Sequence, residues 1–158
     1  MVFRKKLLVV LLILFGTTFA QKKEAQSFII SVDSRYKSRE IYHSKEHFLG
    51  ALMGIKKVGK GMFMVSPGDI DPPWASEELI AEVLGDDYLW YPAVGNHELP
   101  EEDPRYLPYL RKMNKDGKTL PNIVKKGPPG CEETTYSFEI GDCHVALLNV
   151  YYDGKSDH

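Results

Sequence analysis

Three short polar clusters in this chain carry residue types that together can hold a divalent cation. They are Asp33, then Gly68-Asp69, then Gly95-Asn96-His97-Glu98. Carboxylate, amide oxygen and imidazole are donors suited to Mn, Fe or Zn. A glycine ahead of the acidic or amide residue lets the backbone turn sharply and carries the side chain over the end of the preceding element. Taken singly, each cluster is ordinary, since Gly-Asp after a strand is commonly a turn and Asn-His commonly caps a loop. Their chemistry depends on whether they meet.

Each cluster follows a segment that reads as a strand. Residues 28–32 (Phe-Ile-Ile-Ser-Val) form a β-rich run ending at Asp33, and residues 62–65 (Met-Phe-Met-Val) form another ending at Ser66-Pro67-Gly68-Asp69. Both predict buried strands. Residues 88–94 read as a third, with Pro92 near its end. Between the first two, Ser44 is placed to cap a helix in which Phe48, Ala51, Leu52, Ile55 and Val58 recur at helical spacing before Gly59 and Gly61. Between the next two, Ser76 is the expected N-cap, with Glu77 and Glu78 in the favourable first turn. Leu79, Ile80, Val83 and Leu84 make the stripe, and Gly85 ends it.

Residues 99–130 predict an irregular insertion with a short helix from Asp103-Pro104 through Tyr106, Tyr109 and Leu110, limited by Pro108. Tyr136, Phe138 and Ile140 then alternate with polar residues, Gly141-Asp142 fits a two-residue hairpin loop, and residues 145–150 return as an apolar strand. The order β-α-β-α-β, insertion, hairpin predicts an α/β fold with a parallel core sheet. Its polar loops would share the carboxyl edge, where such sheets place their sites.

The ordered set resembles the calcineurin-like metallophosphoesterase family, whose motifs D-x-H, G-D-x-x-D and G-N-H-D/E each follow a strand. Gly95-Asn96-His97-Glu98 matches the third in full and Gly68-Asp69 the start of the second, and the likeness runs over residues 28–150. It implies a sandwich of two sheets flanked by helices, of which residues 28–158 are the N-terminal portion, incomplete at the C-terminus. It also implies two divalent or trivalent metal ions (Fe, Mn or Zn) and a small phosphate-ester substrate. On that likeness Asp33 ligates the first ion, Asp69 bridges both, and Asn96 ligates the second and helps hold the phosphate. His97 stands by the leaving-group oxygen as general acid. Two ions ~3.5–4 Å apart supply a hydroxide near neutral pH and polarise the phosphoryl group for in-line attack.

Three departures accompany the likeness. Arg35 stands where the family has a metal-binding His. A guanidinium cannot ligate a cation, though it can hold a phosphate oxygen. Asp71 comes one place early and Pro72 occupies the position of the last Asp of the second motif. None of the five histidines (His43, His47, His97, His144 and His158) follows a glycine, so the family's G-H-x-H segment has no counterpart. The chain is therefore read as truncated, with little activity expected of it alone because an incomplete sheet exposes an edge and apolar surface.

The alternative is a non-catalytic secreted binding module on the same fold. A rival zinc-protease pattern, His43-x-x-Glu46-His47, loses His43 if Ser44 is the cap. Cys143 and His144 are adjacent on a strand and face opposite ways. Trp74 is a pocket candidate, while Trp90 and Tyr91 read as core.

Residues 1–20 have the layout of a secretory signal peptide: Arg4, Lys5 and Lys6, an apolar run over 7–15, and small residues at Thr18 and Ala20. Residues 21–27 read as a flexible leader. Removing residues 1–20 leaves 17 basic against 22 acidic side chains, a net charge of −5. That predicts a secreted or periplasmic protein with no nucleic-acid partner and no stable membrane anchor after cleavage. Cys131 and Cys143 allow one disulfide or two free thiols.

Overall fold

The computed structural model describes residues 26–35 and 43–151; the predicted signal peptide and most of the predicted leader lie outside them. Of that leader, Gln26 and Ser27 are tied to the fold: Gln26 Oε1 accepts the Asp142 N–H at 3.0 Å and the Ser27 carbonyl accepts the Met62 N–H at 2.9 Å.

The chain runs β1 (Ile29–Ile30), α1 (Ser44–Val58), β2 (Phe63–Ser66), α2 (Pro73–Leu84), β3 (Leu89–Pro92), α3 (Tyr106–Met113), β4 (Ile123–Lys126), β5 (Tyr136–Ile140) and β6 (Cys143–Leu147). Strands β1-β2-β3 form a parallel sheet, and β4-β5-β6 an antiparallel one. This is an α/β protein with two small sheets.

Period-two alternation sorts the side chains of the parallel sheet into two cores. Met64 and Trp90 point to the helices, packing with Phe48 and Leu52 of α1, Leu79, Ile80 and Val83 of α2, and Leu107 and Leu110 of α3. Phe63, Val65 and Tyr91 point the other way, onto Tyr136, Phe138 and Leu147 of the antiparallel sheet. The Tyr91 and Phe138 rings stack at 3.7 Å between centroids, and Phe63 meets Phe138 edge-on at 5.2 Å. Full burial of such side chains contributes ~1.5–3 kcal/mol each. The layers are thus helices, parallel sheet, antiparallel sheet. The Tyr136 hydroxyl donates to the Pro92 carbonyl at 2.6 Å, fixing the second sheet to the end of β3, beside the third polar cluster.

Several sequence expectations are corrected. Helix α1 is capped by His43, in the left-handed region, and Ser44 is its first residue. His43 and His47 are both exposed, and His43 lies outside the helix. Val58 is exposed rather than part of the stripe. Helix α2 starts at Pro73, three residues before the expected cap, because proline's fixed φ suits a first helical turn. Ser76 is therefore buried within the helix, its Oγ without a partner. The insertion contains a strand, β4, that was not expected. Strand β1 is short and at a sheet edge, so Phe28, Ile30 and Val32 are exposed where burial was predicted. The second hairpin strand starts at Cys143 and ends at Leu147, leaving Leu148 and Val150 exposed. Both thiols are free. No described helix is long and apolar enough to cross a membrane.

Candidate functional site

The three predicted loop tips do meet. Asp33, Asp69 and Asn96 line one open cleft of about 380 Å³ at the carboxyl edge of the parallel sheet, with Gly68, Gly95, Val32 and Tyr151 also in its lining. Among the described residues, the side chains of Asp33 and Asn96 make no hydrogen bond, which leaves their oxygens free for a ligand. Asp69 Oδ1 accepts the backbone N–H of His97 at 3.3 Å.

Two of the three residues sit in an unusual backbone state. Asp33 has φ of 54° and Asp69 of 56°, the left-handed region that costs most residues roughly 1–2 kcal/mol and that aspartate tolerates better. Each lies three residues past the end of its strand, in a loop where such strain commonly accompanies a functional role. The loops also approach too closely for side chains on their glycines. A Cβ on Gly68 would lie 2.5 Å from the Gly95 nitrogen, and one on Gly95 would collide with Asp69 Oδ1. Glycine at both positions is what lets the second and third clusters touch.

The group that clamps them is Glu98, which sequence reasoning quoted in the third motif without giving it a role. Its side chain is fully buried. Oε2 accepts the N–H groups of Asp69 at 2.9 Å and Gly95 at 2.7 Å, and Oε1 accepts that of Ile70 at 2.7 Å. One carboxylate thus satisfies three backbone donors from two loops, its own and one 28–29 residues earlier in sequence. Burial pushes its carboxyl above the ordinary range, while the three N–H groups pull it back. The available signal was an acidic residue directly after Gly-Asn-His.

Arg35 and His97 fall outside the lining of this cleft and gather instead about Asp71. Arg35 Nε donates to Asp71 Oδ1 at 3.1 Å, so the guanidinium is committed to an ion pair rather than free in solvent. The Asp71 carboxyl is raised by burial, a shift opposed by Arg35 and by His97 nearby. The His97 side chain is 13% exposed, its Nδ1 lies 3.7 Å from Glu102 Oε1, and that nitrogen is buried without a hydrogen bond. Arg35 Nη2 is also buried and unbonded.

The remaining candidates belong elsewhere. Trp74 packs against Tyr106 and Tyr109 under the Arg105 guanidinium and does not line the cleft. Trp90 is core, its indole N–H donating to Ser66 Oγ at 2.9 Å. His144 pairs with Glu139 across the hairpin on the surface.

Two carboxylates and an amide oxygen suit part of the shell of one hard or borderline cation. They fall short of a two-ion centre, and among the described residues no three His, Cys, Asp or Glu side chains converge as a metal-binding group. No protein-family model matches the chain, and no curated protein or solved structure matches it either.

Proposed function

We propose that this chain is an exported, metal-dependent phosphoesterase. The observation that carries this reading is the shared cleft. Asp33, Asp69 and Asn96, separated by 36 and 27 positions in sequence, reach one opening at the carboxyl edge of a parallel sheet, in the order and strand context of the metallophosphoesterase motifs. Asp33, Asp69 and Asn96 would hold a cation such as Mn, Fe or Zn, which supplies a hydroxide near neutral pH and polarises a phosphoryl oxygen. Asn96 orients the phosphate by its amide, and Glu98 holds the Asp69 and Asn96 loops in register. In this reading His97, next to Asn96 but outside the lining of the cleft in this structure, turns toward the cleft to give a proton to the departing alkoxide. The substrate class is a small phosphate ester.

A second reading, a non-catalytic binding module, is favoured by one observation: Arg35 is locked onto Asp71 instead of contributing a donor to the cleft. Calorimetric titration with Mn²⁺ separates the two. The phosphoesterase reading expects heat of binding that disappears in Asp69→Asn. Absence of binding to the wild-type protein at millimolar metal would sink it and leave the binding module.

A further inference from the structure

Two grooves lie side by side on the surface and share Leu120 and Pro121 as a common wall. The first, about 400 Å³, is lined by Lys118, Lys125 and Lys126 along the free edge of β4. The second, about 310 Å³, carries Asp86 and Asp87 just past the end of α2 and Glu77 nearer its start. The sequence concentrates charge to match. From Arg111 to Lys126 there are six basic residues and one acidic, whereas from Glu77 to Asp87 there are five acidic and none basic. Lys118, Lys125, Lys126, Asp86 and Asp87 are exposed, and none forms an ion pair among the described residues. Exposed apolar surface adjoins them at Val124, which is 46% exposed, and at Pro121.

Lysines on an edge strand also deter unwanted strand pairing, which explains their presence but not the acidic groove beside them. A nucleic acid or an acidic peptide following the lysines would meet Asp86 and Asp87 across the shared wall. A surface bearing both signs about an apolar centre matches its own copy rotated by half a turn, since each basic groove then faces an acidic one. We propose that a second copy of this chain docks here about a two-fold axis at Leu120–Pro121, the lysines of each copy meeting the acidic end of α2 in the other. Such pairing draws on charges that salt screens, so the dimer is strongest at low ionic strength. It stands apart from the phosphoesterase reading and survives or fails without it.

The test is the mass of the purified protein in solution, by light scattering, at low and high salt. The proposal expects twice the chain mass at low salt, falling toward one chain as salt rises. K125E/K126E and D86K/D87K should each dimerise on the order of tenfold more weakly or worse. Mixed one to one, they should form a heterodimer of wild-type strength, because the two reversed patches complement each other and so do the two native ones. Circular dichroism matching wild type shows each variant folded, and K125Q/K126Q provides a gentler version that should weaken the dimer in the same direction. A wild-type protein of one-chain mass at every concentration in low salt overturns the proposal. So does dimerisation unaffected by the swaps, failure of the folded variants to associate on mixing, or growth beyond two copies.

Discussion

Glu98 offers the sharpest test of how the loops are held. Replacing it with alanine strips the acceptor from the N–H groups of Asp69, Ile70 and Gly95 at once. A hydrogen bond to a charged acceptor contributes ~1.5–3 kcal/mol, and an orphaned buried donor costs ~1–3 kcal/mol. The Ile70 nitrogen is buried, so its loss is felt in full. The Asp69 and Gly95 nitrogens are only partly buried beside the cleft, where water can take over some of the bonding. Removing a buried carboxyl also relieves the desolvation that pushes its pKa up. With these offsets, Glu98→Ala should cost about 2–5 kcal/mol, a large part of the ~5–15 kcal/mol that usually holds a domain together. Glu98→Gln keeps one acceptor oxygen but turns an NH₂ toward the other donors, and should cost about 1–3 kcal/mol. Urea unfolding followed by tryptophan fluorescence measures both, provided the slope is unchanged. An alanine variant within about 0.5 kcal/mol of wild type, or a glutamine variant worse than alanine, would refute the clamp.

Other outcomes can be checked alongside. Arg35→Met should cost about 1–3 kcal/mol, because it leaves Asp71 buried without its partner, and adding Asp71→Asn should recover at least half of that in a double-mutant cycle. Asp33→Asn should leave stability within about 0.5 kcal/mol, since asparagine accepts a φ of 54°, while calorimetry shows weaker Mn²⁺ binding. Burial pushes the Tyr88 hydroxyl up to about 12 from an ordinary 10.0. The folded state therefore keeps that proton longer than the unfolded chain. Its contribution is complete below pH 10.0 and is lost as pH rises toward about 12, so urea midpoints should fall across that window, by less in Tyr88→Phe.

The parallel core was legible because its strands are short apolar runs, each closed by glycine or an acidic residue, and because helical stripes at Phe48-Leu52 and Leu79-Val83 separate them. Burial around β1 was not legible, since Ile30 and Val32 are as apolar as Met64 and Val65, but among the described residues no strand pairs beyond β1. Strand β4 escaped notice because two of its four residues are lysines, and the alternation that marks a half-buried strand is missing. The start of α2 was misjudged because Ser76 is the better side-chain cap while Pro72-Pro73 fixes the backbone first.

In the site, the meeting of Asp33, Asp69 and Asn96 followed from three equivalent strand ends. The Arg35–Asp71 pair did not follow, as it joins residues 36 apart. A hint existed in the parallel spacing, since Arg35 lies two past Asp33 and Asp71 two past Asp69. The three hydrogen bonds accepted by Glu98 come from backbone donors, which no residue type advertises.

The proposed function turns on one cation being held jointly by the three loop tips. Titrating paramagnetic Mn²⁺ into ¹⁵N-labelled protein and following line broadening residue by residue tests this directly. With the cation seated there, the backbone amides of Asp33 and Asp69 and the side-chain amide of Asn96 should broaden first and together. Broadening centred elsewhere, on the acidic end of α2 at Asp86 and Asp87 for instance, would contradict it.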